Sequence, residues 1–99
     1  MCGLVDDEMT FWGSTNSSLF LTAAAARAVC ATATRKGRVV WRIEGGIWHR
    51  PGFEARLDAI WDSKSDLDTA SNNRLASQMI ADENEGCDTF VITLEPLGI

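Results

Sequence analysis

The period of apolar positions changes along the chain, and the changes mark its elements. A short apolar run from Met9 to Gly13, ending at a glycine, reads as a first strand. Gly13-Ser14-Thr15-Asn16-Ser17-Ser18 then offers side-chain oxygens that can cap the free N–H groups of a helix start. The alanine-rich stretch behind it has high helix propensity, carries Arg35 and Lys36 in its last turn, and meets Gly37 as a left-handed stop. From Arg38 the period becomes two, with Val39, Trp41 and Ile43 on one face and Val40, Arg42 and Glu44 on the other. Phe53, Ala55, Leu57, Ala59 and Trp61 alternate against Glu54, Arg56, Asp58 and Ile60 as the second arm of a hairpin. Ser65 opens a second helix whose apolar face holds Leu67, Leu75, Met79 and Ile80, with Asn72 and Asn73 placed to loosen its first turns and Gly86 as its stop. Thr89 to Glu95 forms the last strand, ended by Pro96.

Strand, helix, strand, strand, helix, strand is the order of a ferredoxin-like split βαββαβ sandwich. This is an α+β fold with an antiparallel sheet, two helices on one face and a long central β-hairpin. Residues 9–99 form that single domain behind a flexible N-terminal segment, residues 1–8. Opposite charges across the hairpin place Val40 against Ile60, Arg42 against Asp58 and Glu44 against Arg56. That register sets Ile43 opposite Leu57 and Ile47 opposite Phe53, and leaves Trp48, His49 and Arg50 at the tip. Gly45-Gly46 produces a bulge or bend in the first arm, or else a turn of its own. The helix-covered face then holds Val39, Trp41, Ile43, Phe53, Leu57, Trp61, Phe90, Ile92 and Leu94. The opposite, solvated face carries Arg42, Glu44, Glu54, Arg56, Asp58, Thr93 and Glu95.

A formal net charge of -5 repels a phosphate backbone and argues against general nucleic-acid binding. The charge is uneven: Arg35, Lys36, Arg38, Arg42, Arg50 and Arg56 sit in the middle, while the stretch from Asp58 to Glu95 is mostly acidic. Leu19 to Ala33 is apolar, but Asp6, Asp7 and Glu8 precede it where a signal peptide needs basic residues, and Arg27 interrupts it. Cys2, Cys30 and Cys87 lack metal-type spacing and have a single histidine to join them, which fits the reduced thiols of a cytoplasmic protein. No membrane, metal or cofactor is implied.

Met1-Cys2-Gly3-Leu4 resembles the start of class II glutamine amidotransferases, where removal of Met exposes a nucleophilic cysteine. Those domains are much longer than this chain, and no counterpart of their glutamine pocket is present. Asp62 to Asp68 has some spacing of a calcium loop, yet Lys64 takes a ligand slot and Leu67 the place of the tight-turn glycine. Two candidate sites remain. Trp48, His49 and Arg50 at the hairpin tip, with Arg42 and Arg56 on the sheet face, are residue types that carry energy at protein interfaces. Ser14, Thr15, Asn16 and Ser17 could hold a small anionic ligand at the first helix N-terminus. The residues therefore assign no definite function. The favoured reading is a non-enzymatic module that binds a protein partner or forms a homo-dimer. The alternatives are a small-ligand domain or minor enzyme, and an acidic inhibitor that mimics nucleic acid with the charges from Asp82 to Asp88.

Overall fold

The computed structural model describes residues 4–13, 19–49 and 52–96. Among them the chain runs α1 (Glu8–Trp12), α2 (Ala23–Arg35), β1 (Val40–His49), β2 (Gly52–Asp62), α3 (Thr69–Glu83) and β3 (Thr89–Leu94). β1 lies between β2 and β3 and pairs antiparallel with both. Helices α2 and α3 pack together and onto the sheet, so the α+β class and the central hairpin read from the sequence are what the chain adopts.

The first strand is corrected. Met9–Gly13 belongs to a short helix, because the Asp7 carboxylate accepts the Met9 N–H at 3.0 Å and caps it. A five-residue apolar run is compatible with a strand or a helical turn, and here the cap decides. The Glu8 carboxylate then accepts from Trp12 Nε1 at 3.1 Å and from Thr32 Oγ1 at 2.6 Å, which ties α1 to α2. The sheet thus has three strands, and Leu21 extends it past β3: Leu21 and Phe90 exchange backbone hydrogen bonds, both 2.8 Å. Val5 bridges Leu21 in turn. With Leu21 drawn into that bridge, the long helix starts at Thr22, whose Oγ1 accepts the Ala25 N–H at 3.2 Å, and not in the stretch 13–18. It ends as expected at Gly37, with φ +70°.

Two irregularities overturn the expected faces and register. The β1–β3 pairing shifts between Val40 and Arg42, so Val40 turns fully into the core and Trp41 is left 46% exposed. In the hairpin, Arg42 pairs with Asp62 and Glu44 with Ile60, whereas beyond the shift Gly46 pairs with Ala55 and Trp48 with Phe53. The expected Arg42–Asp58, Glu44–Arg56 and Ile43–Leu57 pairs therefore do not form. Arg56, Leu57, Asp58 and Ala59 instead stand opposite Gly45 alone. Glycine permits this: a Cβ on Gly45 would lie 3.1 Å from the Ala59 Cβ and 3.2 Å from Cys87 Sγ and the Phe90 ring. Gly45-Gly46 is accordingly not a turn, and the bulge expected in the first arm lies in β2 instead: β1 passes through both glycines in unbroken register with β3, Gly45 pairing with Phe90 and Gly46 with Thr89.

Leu21, Val29, Val40, Ile43, Ile80, Phe90 and Ile92 are fully buried between the helices and one sheet face. Helix α3 starts at Asp68 and not at Ser65, because the Asp68 carboxylate accepts the Ser71 N–H at 2.7 Å; the backbone and side-chain hydrogen bonds from Ser71 hold its pKa below the usual carboxylate value. Its first turns are pinned, not loosened. Asn72 and Asn73, each 1% exposed, clasp the start of β1. Asn73 Oδ1 accepts from Val40 N at 2.9 Å while Asn72 Nδ2 donates to Val40 O at 3.0 Å. Asn72 Oδ1 also accepts from Lys64 N at 2.8 Å, so the pair joins α3 both to the distant start of β1 and to the loop that follows β2. Burial pushes the Cys30 thiol up to about 12, which leaves it a small neutral core residue.

Candidate functional site

Residues paired across a sheet share a face, so the register defines the surface that α2 and α3 leave open. Ile43 and its neighbour Ile92 point to the helices. Arg42, Glu44, Gly46 and Trp48 therefore point the other way, joined by Asp62, Ile60 and Phe53 from β2 and by Thr93 and Val91 from β3. Phe53 was expected in the core; it lies on the outer face because the register shift reverses the orientation of its end of β2.

At one end of this face the Arg42 guanidinium sits between two acids, with Nε 3.3 Å from Glu44 Oε2 and Nη1 2.8 Å from Asp62 Oδ1. Trp41, Arg42, Asp62 and Ser63 line a shallow cleft there. At the hairpin end three aromatic rings cluster. Phe20 lies 5.3 Å from Trp48 and 5.1 Å from Phe53, centroid to centroid, in tilted geometry. Gly46 makes room for the Phe53 ring. Asp88 Oδ1 accepts from Trp48 N and from Thr89 Oγ1, both at 2.9 Å, and fixes the backbone beneath the cluster. His49 Nε2 meets Glu54 Oε1 at 2.8 Å.

The register shift raises a third feature. Leu57 stands at the top of the Arg56–Ala59 excursion and is 86% exposed. Full burial of a leucine is worth about 2 kcal/mol, and this one forgoes nearly all of it. Beneath it Cys87 is buried, and its thiol pKa is raised by desolvation and by the Glu83, Asp58 and Asp88 carboxylates, against the opposing charge of Arg56.

Among the residues singled out from sequence, Trp48 is half-buried in the aromatic cluster and does not project freely, while His49 is exposed. Arg42 is engaged with its acids and Arg56 lies 3.7 Å from Asp58. The four that are described do not converge on one point, since Arg42 is at the far end from Trp48 and His49; Arg50 lies outside the described residues, as do Ser14, Thr15, Asn16 and Ser17. Leu57 and Trp41 were missed because strict alternation buries both. For Leu57 the available signal was Gly45-Gly46, which marks where the pairing of β2 must break; the shift that exposes Trp41 has no such mark in the chain. No group of three or more His, Cys, Asp or Glu side chains able to hold a metal occurs among the described residues. No helix among them is long and apolar enough to cross a membrane.

Residues 19–95 match the family model described as colicin-E5 Imm protein. The chain belongs to this family. It is 48% identical over 92 residues to the immunity protein CdiI of Burkholderia pseudomallei, covering 89% of this chain and 83% of that protein. It is 39% identical over 82 residues to the colicin-E5 immunity protein of Escherichia coli, covering 76% of this chain and 96% of that one. A colicin-E5 immunity protein in ColE9, also from Escherichia coli, shares 39% over 80 residues. Membership of the colicin-E5 immunity family corrects the reading of a protein of unknown function, in which a non-enzymatic protein-binding or self-associating module led over a small-ligand domain and a nucleic-acid mimic. An immunity family does agree with a role outside catalysis and with a protein as the partner. The matched span runs from just before α2 to the residue after β3, so it contains the whole sheet and the open face.

Proposed function

We propose that this protein binds a toxin of the kind countered by its immunity relatives and neutralises it by docking, without catalysis. The family match over residues 19–95 carries the reading. The open sheet face supports it with a tryptophan, an arginine and two phenylalanines on a braced backbone, and aromatic and arginine side chains dominate the energy of protein interfaces. Trp48, His49, Arg42 and Arg56 are the contact residues in this reading. Arg42 and His49 are held by neighbouring acids, which fixes their orientation before a partner arrives and reduces the ordering cost of binding.

Mixing the purified protein with colicin E5, and separately with the toxin countered by the Burkholderia pseudomallei relative, tests this by light scattering after gel filtration. A one-to-one complex with at least one toxin is the expected result. Two separate components in both mixtures would contradict it.

A further inference from the structure

Four residues of β2, Arg56 to Ala59, face the single residue Gly45 and rise from the sheet as an arch. Both feet are braced. Ala59 is buried in the space that Gly45 leaves beside Cys87 and Phe90, and Ala55 returns to regular pairing with Gly46. Leu57 at the top is the most exposed large hydrophobic side chain among the described residues. β2 is an edge strand, and a bulge by itself blunts such an edge against pairing with another chain. A charged residue at the top would serve that purpose better, so edge protection explains the arch and leaves the leucine unexplained.

The surroundings of the arch are acidic. Asp58 adjoins Leu57, and at the foot of the arch Cys87 Sγ lies beside Gly45 while the Cys87 N–H donates to the Glu83 carbonyl at 2.9 Å and the Asp88 N–H to the Gly46 carbonyl at 3.0 Å, which sets Glu83 and Asp88 next to it. Arg56 supplies the opposing charge and is itself turned to Asp58. An apolar knob in an acidic rim, on a chain of net charge -5, disfavours a second copy and disfavours phosphate-bearing ligands. It suits a protein with an apolar pocket bordered by lysine and arginine.

We propose that the arch is a docking knob for the toxin, with Leu57 entering an apolar pocket and Asp58, Glu83 and Asp88 facing a basic rim. This rests on the immunity reading and adds where the toxin sits and which chemistry it presents. The arch lies beside the aromatic cluster, since Ala55 pairs with Gly46, against which the Phe53 ring packs. One partner could therefore cover both.

Affinity for colicin E5 and for the toxin countered by the Burkholderia pseudomallei relative, measured by interferometry at low and high salt, tests the proposal with Leu57→Asp and Asp58→Lys. Leu57→Asp should weaken the complex roughly thirtyfold or more, the loss expected of an interface anchor. Asp58→Lys should act mainly by slowing association, with the difference shrinking at high salt. Since Leu57 makes no buried contact, both the Asp variant and a milder Leu57→Ser variant should keep the wild-type melting curve. Leu57 variants that melt normally and bind as tightly as wild type would overturn the arch and leave the immunity reading in place. A wild-type protein that binds neither toxin would instead overturn the immunity reading. A wild-type dimer that Leu57→Asp splits would replace the toxin with a second copy as the occupant.

Discussion

Asn73→Ala is expected to destabilise the fold by about 4 kcal/mol, a large part of the stability of a domain this size. Asn73 uses its whole amide. Its Oδ1 accepts from Val40 N at 2.9 Å and from Asn72 Nδ2 at 3.1 Å, and its Nδ2 donates to Arg38 O at 2.9 Å and Thr34 Oγ1 at 3.1 Å. Alanine supplies none of these bonds and strands the Val40 N–H inside the core, where an unmet donor costs about 1–3 kcal/mol. The cost includes a small cavity between α3 and β1 as well. Urea unfolding followed by circular dichroism measures the change. Asn73→Asp is a useful companion, because it keeps the acceptor for Val40 and loses the donor for Arg38; it should also be strongly destabilised, by burial of a charge. A loss below about 1 kcal/mol for Asn73→Ala would mean that the clasp does not anchor β1.

Gly46→Ala should have an effect of similar size, by steric conflict. A Cβ at this position would collide with the Glu54 carbonyl oxygen and lie 2.6 and 2.7 Å from two atoms of the Phe53 ring. The ring could swing, but only by breaking its contact with Phe20, and the carbonyl belongs to the backbone that pairs with β1. Relief therefore requires the hairpin to separate beside the arch, at a cost on the order of 3 kcal/mol. Thermal melting reads the effect, with Gly86→Ala as the comparison, since a Cβ there meets nothing within 4 Å. A Gly46→Ala midpoint equal to that of Gly86→Ala would show that this part of the hairpin is loosely packed.

The sequence made much of the architecture readable because long-range order follows local periodicity here. The α2 stretch ending at Gly37 and the period-two run ending at Pro96 both reach the structure nearly as read. The parts that failed are those where one residue decides between two outcomes. Asp7 makes a helical turn of Met9–Gly13, and Leu21 joins the sheet edge and delays α2 to Thr22. Gly45 lets β2 take up extra residues, which defeats any register argued from charge pairs, since Arg42 finds Asp62 as good a partner as Asp58. Asn72 and Asn73 look like helix-weakening residues until the carbonyls and N–H groups of β1 are placed beside them.

The candidate surface was legible in its residue types and not in its shape. Trp48, His49 and Arg42 belong to the open face or its rim, but the feature that gives the face relief is a leucine that alternation assigns to the core. Function was less legible still. The proposed function, neutralising a partner by docking, needs a complementary surface, and such a surface leaves no spacing of nucleophile, metal ligands or phosphate loop to read in a chain. Similarity over residues 19–95 supplied what the residue pattern could not.

Survival under challenge tests the central claim most directly. Escherichia coli cells expressing this chain would be exposed to colicin E5, and cells producing the toxin countered by the Burkholderia pseudomallei relative would be followed in parallel, each against an empty-vector control. The account predicts protection in at least one pair. Cells that make the folded protein and die at the control rate in both would contradict it.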